Sequence, residues 1–199
     1  MLESVIEQIK KSISVKEMML NDGRLIELIN EVVALIVRGY QHGNKVMLAG
    51  NGGSAADAQH LAGELVSRFY FDRPGLAAMA LTTDTSILTA IGNDYGFGKI
   101  FSRQVQANGK KGDVFIGIST SGKSENIIAA LEESRTMGIY TVGLTGASGG
   151  TMADYCDICI KVPSDETPRI QEAHILIGHV ICAGVEALLF SAKRRNDGI

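Results

Sequence analysis

The spacing of hydrophobic residues changes character near residue 44. Before it, apolar side chains recur every three or four positions (Leu25, Ile26, Leu28, Ile29, Val32, Val33, Leu35, Ile36), and Gly43 follows as a stop. That is the period of an α-helix, and it predicts helix over residues 2–42. After it come short runs that are apolar almost throughout, at 45–49, 76–81, 113–118, 140–144 and 157–162. Helical stretches reaching to about residues 69, 108 and 137 separate them, and a long last helix is predicted over 168–193. A strand that is apolar on both faces belongs to a sheet covered on both faces, which is the habit of parallel sheets. Strands alternating with helices therefore predict an α/β fold, a three-layer αβα sandwich around a five-stranded parallel sheet with N-terminal helices in front. With no repeat of fixed period, residues 1–199 read as one domain, a helical segment (1–43) followed by the α/β core (44–199).

Parallel sheets take their ligands at the carboxyl ends of their strands. Three of the predicted strands end there in Gly- or Ser-rich loops, at 50–54 (GNGGS), 119–124 (STSGKS) and 145–150 (TGASGG). This accounts for a good part of a high glycine content, 23 of 199 residues with only 3 prolines. The first two loops lead into helices, and backbone N–H groups at a helix N-terminus bind anions. With the serine and threonine hydroxyls they suit the phosphate of a sugar phosphate. The net charge of −3 gives no general attraction to nucleic acid or anionic membranes. It is no obstacle to an anionic substrate held by amides and hydroxyls.

Two motifs are read as decoys. Residues 117–124 fit the nucleotide-binding pattern G-x-x-x-x-G-K-[ST], but Gly117 falls inside the apolar strand rather than at the start of the loop. Cys156 and Cys159 form a C-x-x-C across the start of a strand, where a three-residue offset points side chains to opposite faces. They are expected to be buried structural cysteines, and with Cys182 they make three, too few and too odd in number for a disulfide framework, which predicts a reducing, cytoplasmic setting. The N-terminus shows no secretory signal pattern. The apolar stretch over 173–190 is long enough to raise the question of a membrane span, but His174, His179 and Glu186 interrupt it and favour a buried helix. The first and last helices are apolar over much of their circumference, which predicts a homo-oligomer.

His60 and Glu64 are four apart on the helix after the first glycine loop, and Gln171 and His179 are eight apart on the last helix, so each pair shares a face. Together they offer two imidazoles, a carboxylate and an amide oxygen to one divalent metal, a set suited to Zn²⁺. Either pair alone is also what a hydrogen-bonded core residue looks like. His174 is read as core and His42 as solvated. Gly63 and Gly178 lie in helices beside these side chains, where they would allow close packing.

The segments GNGGSAADAQH, GNDYGF (92–97), GISTSGKS and RIQEAHILIGH resemble, in order and spacing, the sedoheptulose 7-phosphate isomerases (phosphoheptose isomerases) of the SIS fold, over about the whole chain. The resemblance implies a flavodoxin-like SIS domain and a homotetramer with active sites built from more than one subunit. It implies substrate contacts from Asn51, Gly52, Gly53, Ser54, Asn93 and Asp94, and a phosphate cradle of Ser119, Thr120, Ser121 and Ser124. His60, Glu64, Gln171 and His179 match zinc ligands, of which Glu64 and Gln171 also touch substrate. Glu64 matches the base and His179 the acid of an aldose–ketose isomerisation through an enediol. The product would be D-glycero-D-manno-heptose 7-phosphate, a precursor of the activated heptoses of lipopolysaccharide or capsule. Lys123 departs from the asparagine usual in that loop, and Arg68 and Arg169 receive no role. The alternative is a non-catalytic SIS-fold protein of the replication-initiator-associating type, which lacks the equivalents of Glu64 and His179.

Overall fold

The computed structural model describes residues 2–196. Strands β1 (Val46–Gly50), β2 (Ala78–Ala80), β3 (Val114–Ile118), β4 (Tyr140–Thr145) and β5 (Ile158–Lys161) form one parallel sheet in the order β2-β1-β3-β4-β5. Every residue of β1 and β3 is buried, which is why neither shows polar alternation. Strand pleat sends neighbours to opposite faces. Leu48 and Ile116 join one core and Met47 and Phe115 the other.

Helices α2 (Gly23–Gln41), α3 (Gly53–Val66) and α7 (Thr167–Asn196) cover the first face with Val33, Leu61, Ile177 and Ile181. Helices α5 (Ser102–Asn108) and α6 (Glu125–Thr136) cover the second with Val105 and Leu131. The three layers expected from the strand pattern are present, and α1 (Leu2–Leu20) lies outside them against α7. Of α7, Ile170, Ala173, Ile177, Ile181 and Val185 are buried in the core. The helix is nevertheless long and apolar enough, by length and composition, to cross a membrane.

Three boundaries differ from the sequence reading, each for a local reason. The first helical stretch is two helices, because the Asp22 carboxylate accepts from Leu25 N at 3.0 Å and starts α2 afresh as its N-cap. Strand β2 has three residues rather than six, since as an edge strand it pairs only with β1. The region after it breaks at Gly96 (φ 84°), which separates α4 (Thr85–Tyr95) from a 3₁₀ turn and α5.

His174 is fully buried, as the core reading has it. Burial disfavours its charged form and lowers its pKa from 6.5 to about 4. Below pH 6.5 the unfolded chain takes up a proton that the folded chain refuses. Stability therefore falls as pH drops from 6.5 toward 4, by about 3 kcal/mol in all. In His174→Leu this loss is absent, so thermal melts between pH 7 and 4 will fall less steeply than in the unaltered protein.

Candidate active site

The chain leaves β1 toward β2 on one side of the sheet, while β3 to β5 extend on the other. Loops after β1 and β3 therefore diverge, and such a switch point is where open α/β sheets hold ligands. After β1, Asn51 and Gly52 turn into α3, with Gly52 as N-cap at φ 55°, a left-handed backbone that suits glycine. Ser54 is buried in the first turn. After β3, the Gly122 amide donates to the Ser119 carbonyl at 3.1 Å, and the Ser119 and Ser124 hydroxyls lie 2.9 Å apart. Ser124 is the N-cap of α6, and Ser121 is exposed at the loop tip with Thr120 beside it. Gly122 (φ 64°) passes so close to the third loop that a Cβ would overlap the Gly149 carbonyl. Gly117 lies within β3, paired with Gly143, so the nucleotide-loop pattern is embedded in a strand.

The first two loops are joined by a contact absent from the sequence reading. Asn51 Nδ2 donates to Asn126 Oδ1 at 2.9 Å, and Asn126 Nδ2 donates back to Asn51 Oδ1 at 2.8 Å. Asn126 is buried in the first turn of α6, and its only signal in the sequence is an amide two residues past the serine loop.

Two turns along α3 from the glycine loop, His60, Glu64 and His179 converge, with one ligand atom from each lying within 4.8 Å of the others. His60 Nε2 is 2.9 Å from His179 Nε2 and 3.4 Å from Glu64 Oε1. Tetrahedral ligand atoms on a Zn²⁺ ion with bonds of about 2.0–2.2 Å lie about 3.4 Å apart, so two imidazoles and a carboxylate gathered this closely could hold such an ion. The pairing exists because α3 and α7 pack closely. Gly178 faces Leu61, and a Cβ on Gly178 would come within 2.5 Å of the leucine side chain. Gly63, by contrast, faces open space and lines a cleft of about 570 Å³ with His60, Glu64, Arg68 and Phe69.

Gln171 lies elsewhere. It is eight residues before His179, about 12 Å along the helix axis. Its amide sits against Gly53, where a Cβ would come 2.6 Å from Nε2. Gln171 is thus at the glycine loop, not within the His60–Glu64–His179 group. Asn93 and Asp94 are exposed near the end of α4, hydrogen-bonded to each other at 2.8 Å. No residue of α4 is buried. Arg68 lines the cleft, whereas Arg169 is tied to the Gln8 carbonyl of α1 at 2.8 Å and to Glu172 at 2.9 Å. Cys156 and Cys159 do not point apart. The chain bends at Asp157 before β5 begins, and both sulfurs face Gly143, at 2.6 and 3.6 Å from where its Cβ would be. Both are half-buried rather than fully buried.

The sequence profile described as SIS domain matches residues 12–146. The chain is 65% identical over 193 residues to a phosphoheptose isomerase of Aneurinibacillus thermoaerophilus, covering 97% of this chain and 98% of that one. It is 68% identical over 179 residues to phosphoheptose isomerase 2 of Campylobacter jejuni, covering 90% and 89%. The solved structure of a phosphoheptose isomerase from Neisseria gonorrhoeae superposes with a TM-score of 0.88 at 42% identity, over 94% of this chain and 98% of that one.

The two helix glycines make opposite predictions. Alanine gains up to about 1 kcal/mol over glycine inside a helix, whereas overpacking costs about 1–3 kcal/mol. Gly178→Ala meets Leu61, so it will lower the denaturation midpoint and weaken any divalent-metal binding by the His60–Glu64–His179 group as α3 and α7 separate. Gly63→Ala meets nothing and will raise the midpoint. Chemical denaturation and zinc titration of the two variants check both signs.

Proposed function

The chain belongs to the SIS-domain family and, within it, to the phosphoheptose isomerases, and from that premise we propose how its residues act on sedoheptulose 7-phosphate. It is an isomerase of that sugar phosphate, and the proposed product is D-glycero-D-manno-heptose 7-phosphate. The observation that carries the mechanism is the convergence of His60, Glu64 and His179 two turns from the glycine loop.

In this reading the phosphate lies among the hydroxyls and amides of Ser119, Thr120, Ser121 and Ser124. The sugar extends past Asn51, Gly52, Gly53, Ser54 and Gln171, with Asn93 and Asp94 as further contacts. Gly53 and His60 are seven residues apart, about 10 Å along α3. The sugar's carbon chain runs along this stretch, with its phosphate beyond it at the second loop.

Isomerisation moves a proton between the two carbons next to the carbonyl oxygen and its neighbouring hydroxyl. Glu64 takes the proton from C1, giving a cis-enediol, and returns it to C2. His179 serves the oxygens, donating to the former carbonyl as Glu64 withdraws the proton. Both groups reach one small region because they belong to one cluster. His60, Glu64 and His179 would hold a Zn²⁺ ion, which would supply Lewis-acid polarisation of the carbonyl oxygen, while Gln171, at the glycine loop, would contact the sugar rather than the metal. A non-catalytic binding protein has no need of this convergence.

The assembly proposed is a homotetramer with sites completed across subunits, in the cytoplasm, supplying heptose for lipopolysaccharide or capsule. Two faces of the chain support association. Helix α1 exposes Val5, Ile6, Ile9 and Ile13, and α7 exposes Leu176 and Val180 beside an apolar groove of about 250 Å³. Apolar faces of this extent are typical of subunit contacts.

Mixing the protein with sedoheptulose 7-phosphate and Zn²⁺ will produce an aldoheptose 7-phosphate detectable by NMR. Glu64→Gln and His179→Gln will each lower kcat by about 10²- to 10⁴-fold while the protein stays folded. Near wild-type turnover in both would remove these two residues from the mechanism. Light scattering will give four times the mass of one chain, and a monomer would refute the tetramer.

A further inference from the structure

Residues 67–72, between α3 and β2, form no regular element, yet the first four of them, Ser67 to Tyr70, line the cleft beside His60 and Glu64. Their backbone N–H groups need partners, and one carboxylate supplies three. Glu186 of α7 accepts from Phe69 N at 2.8 Å, from Tyr70 N at 2.7 Å and from Phe71 N at 3.3 Å. It also accepts from Arg73 Nε at 2.9 Å, and both side chains of this ion pair are only 1% exposed.

The rest of the Arg73 guanidinium points at the end of α3. Nη2 donates to the Glu64 carbonyl at 2.9 Å, and Nη1 donates to the Leu65 carbonyl at 2.7 Å and the Ser67 carbonyl at 3.3 Å. The last carbonyls of a helix lack partners within it, and a cation there is favourable. On the other side, Glu186 is seven residues after His179, two turns along α7, so the two share a face. Phe69, whose amide Glu186 holds, sets its ring 5.7 Å from the His179 ring.

We infer that Arg73 and Glu186 are positioning residues that fix Glu64 and His179 relative to each other, by clamping the end of α3 and the loop after it onto α7. This rests on reading His60, Glu64 and His179 as the working centre. Stability alone is a poor reason for the pair. A buried ion pair is often no better than apolar groups of the same volume, whereas its many directed hydrogen bonds specify one geometry. Among the described residues, the side-chain hydrogen bonds of Arg73 and Glu186 go to the backbone beside the centre or to each other, apart from one to the Pro74 carbonyl, and the guanidinium lies 5.9 Å from the Phe190 ring.

The test compares the unaltered protein with Glu186→Gln and Arg73→Lys. Glutamine keeps the size of the side chain but turns an N–H toward the donors of Phe69 and Arg73. Lysine keeps the charge but cannot reach Glu186 and the α3 carbonyls together. Zn²⁺ affinity, measured by competition with a chromogenic chelator well below each melting temperature, will fall about 10- to 100-fold in both variants, the range seen when groups supporting metal ligands are altered. With sedoheptulose 7-phosphate, kcat will fall while KM changes less than threefold, because the phosphate loops do not touch the clamp. A lowered melting temperature with unchanged Zn²⁺ affinity and kcat in either folded variant overturns the inference. Failure of the unaltered protein to convert the sugar would count against the isomerase chemistry, and the zinc comparison would still decide the clamp.

Discussion

The contact on which the site depends is the close approach of α3 and α7. His60 and Glu64 belong to one helix and His179 to the other, so the cluster exists only where the two lie nearly in van der Waals contact. Gly178 against Leu61 provides that approach. The helices run in the same direction, so pairs stay in step along them, with Gly53 beside Gln171 near the loops and His60 beside His179 two turns further on. Because the loop end and the cluster end share the same two rods, the distance between the glycine loop and the His60–Glu64–His179 group is set.

The sheet determines which end of those rods faces the ligand. Largely apolar strands make a rigid floor, and the chemistry is displaced to the loops at its edge. In the proposed reading, hydroxyls and backbone amides take the place of positive charge there, which would reconcile an acidic protein with an anionic substrate. Lys123, the one cation in the second loop, is exposed at its tip and bonds through its backbone to the Ser121 hydroxyl at 3.2 Å.

Layer order, strand number and the two helical pairs were legible because each has a periodic or positional signature. Continuous apolar runs mark buried parallel strands, and spacings of four and eight mark a shared helix face. What the spacing could not convey is distance along the axis. Gln171 and His179 share a face but not a level, so the fourth expected ligand lies at the glycine loop. The split between α1 and α2 escaped because a two-residue interruption hardly disturbs a helical period, although Asp22 was a cap in plain view. The cysteine pair misled for the opposite reason, since the three-residue offset was read as a strand offset across a bend. Asn126, Arg73 and Glu186 carry little local signal, an amide just past the serine loop and a charge inside an apolar helix being the most of it. Their partners are 75, 113 and up to 117 residues distant, and only the fold brings them together.

The paired amides of Asn51 and Asn126 carry a consequence for how this protein can change over time. Each side chain satisfies the other's donor and acceptor, so replacing one leaves two polar groups of its mate without partners in a part-buried contact. Loss at one position is repaired by a matching change at the other more readily than by any change nearby. Two residues far apart in the gene thereby become a single heritable unit, and drift in either loop is tethered to drift in the other.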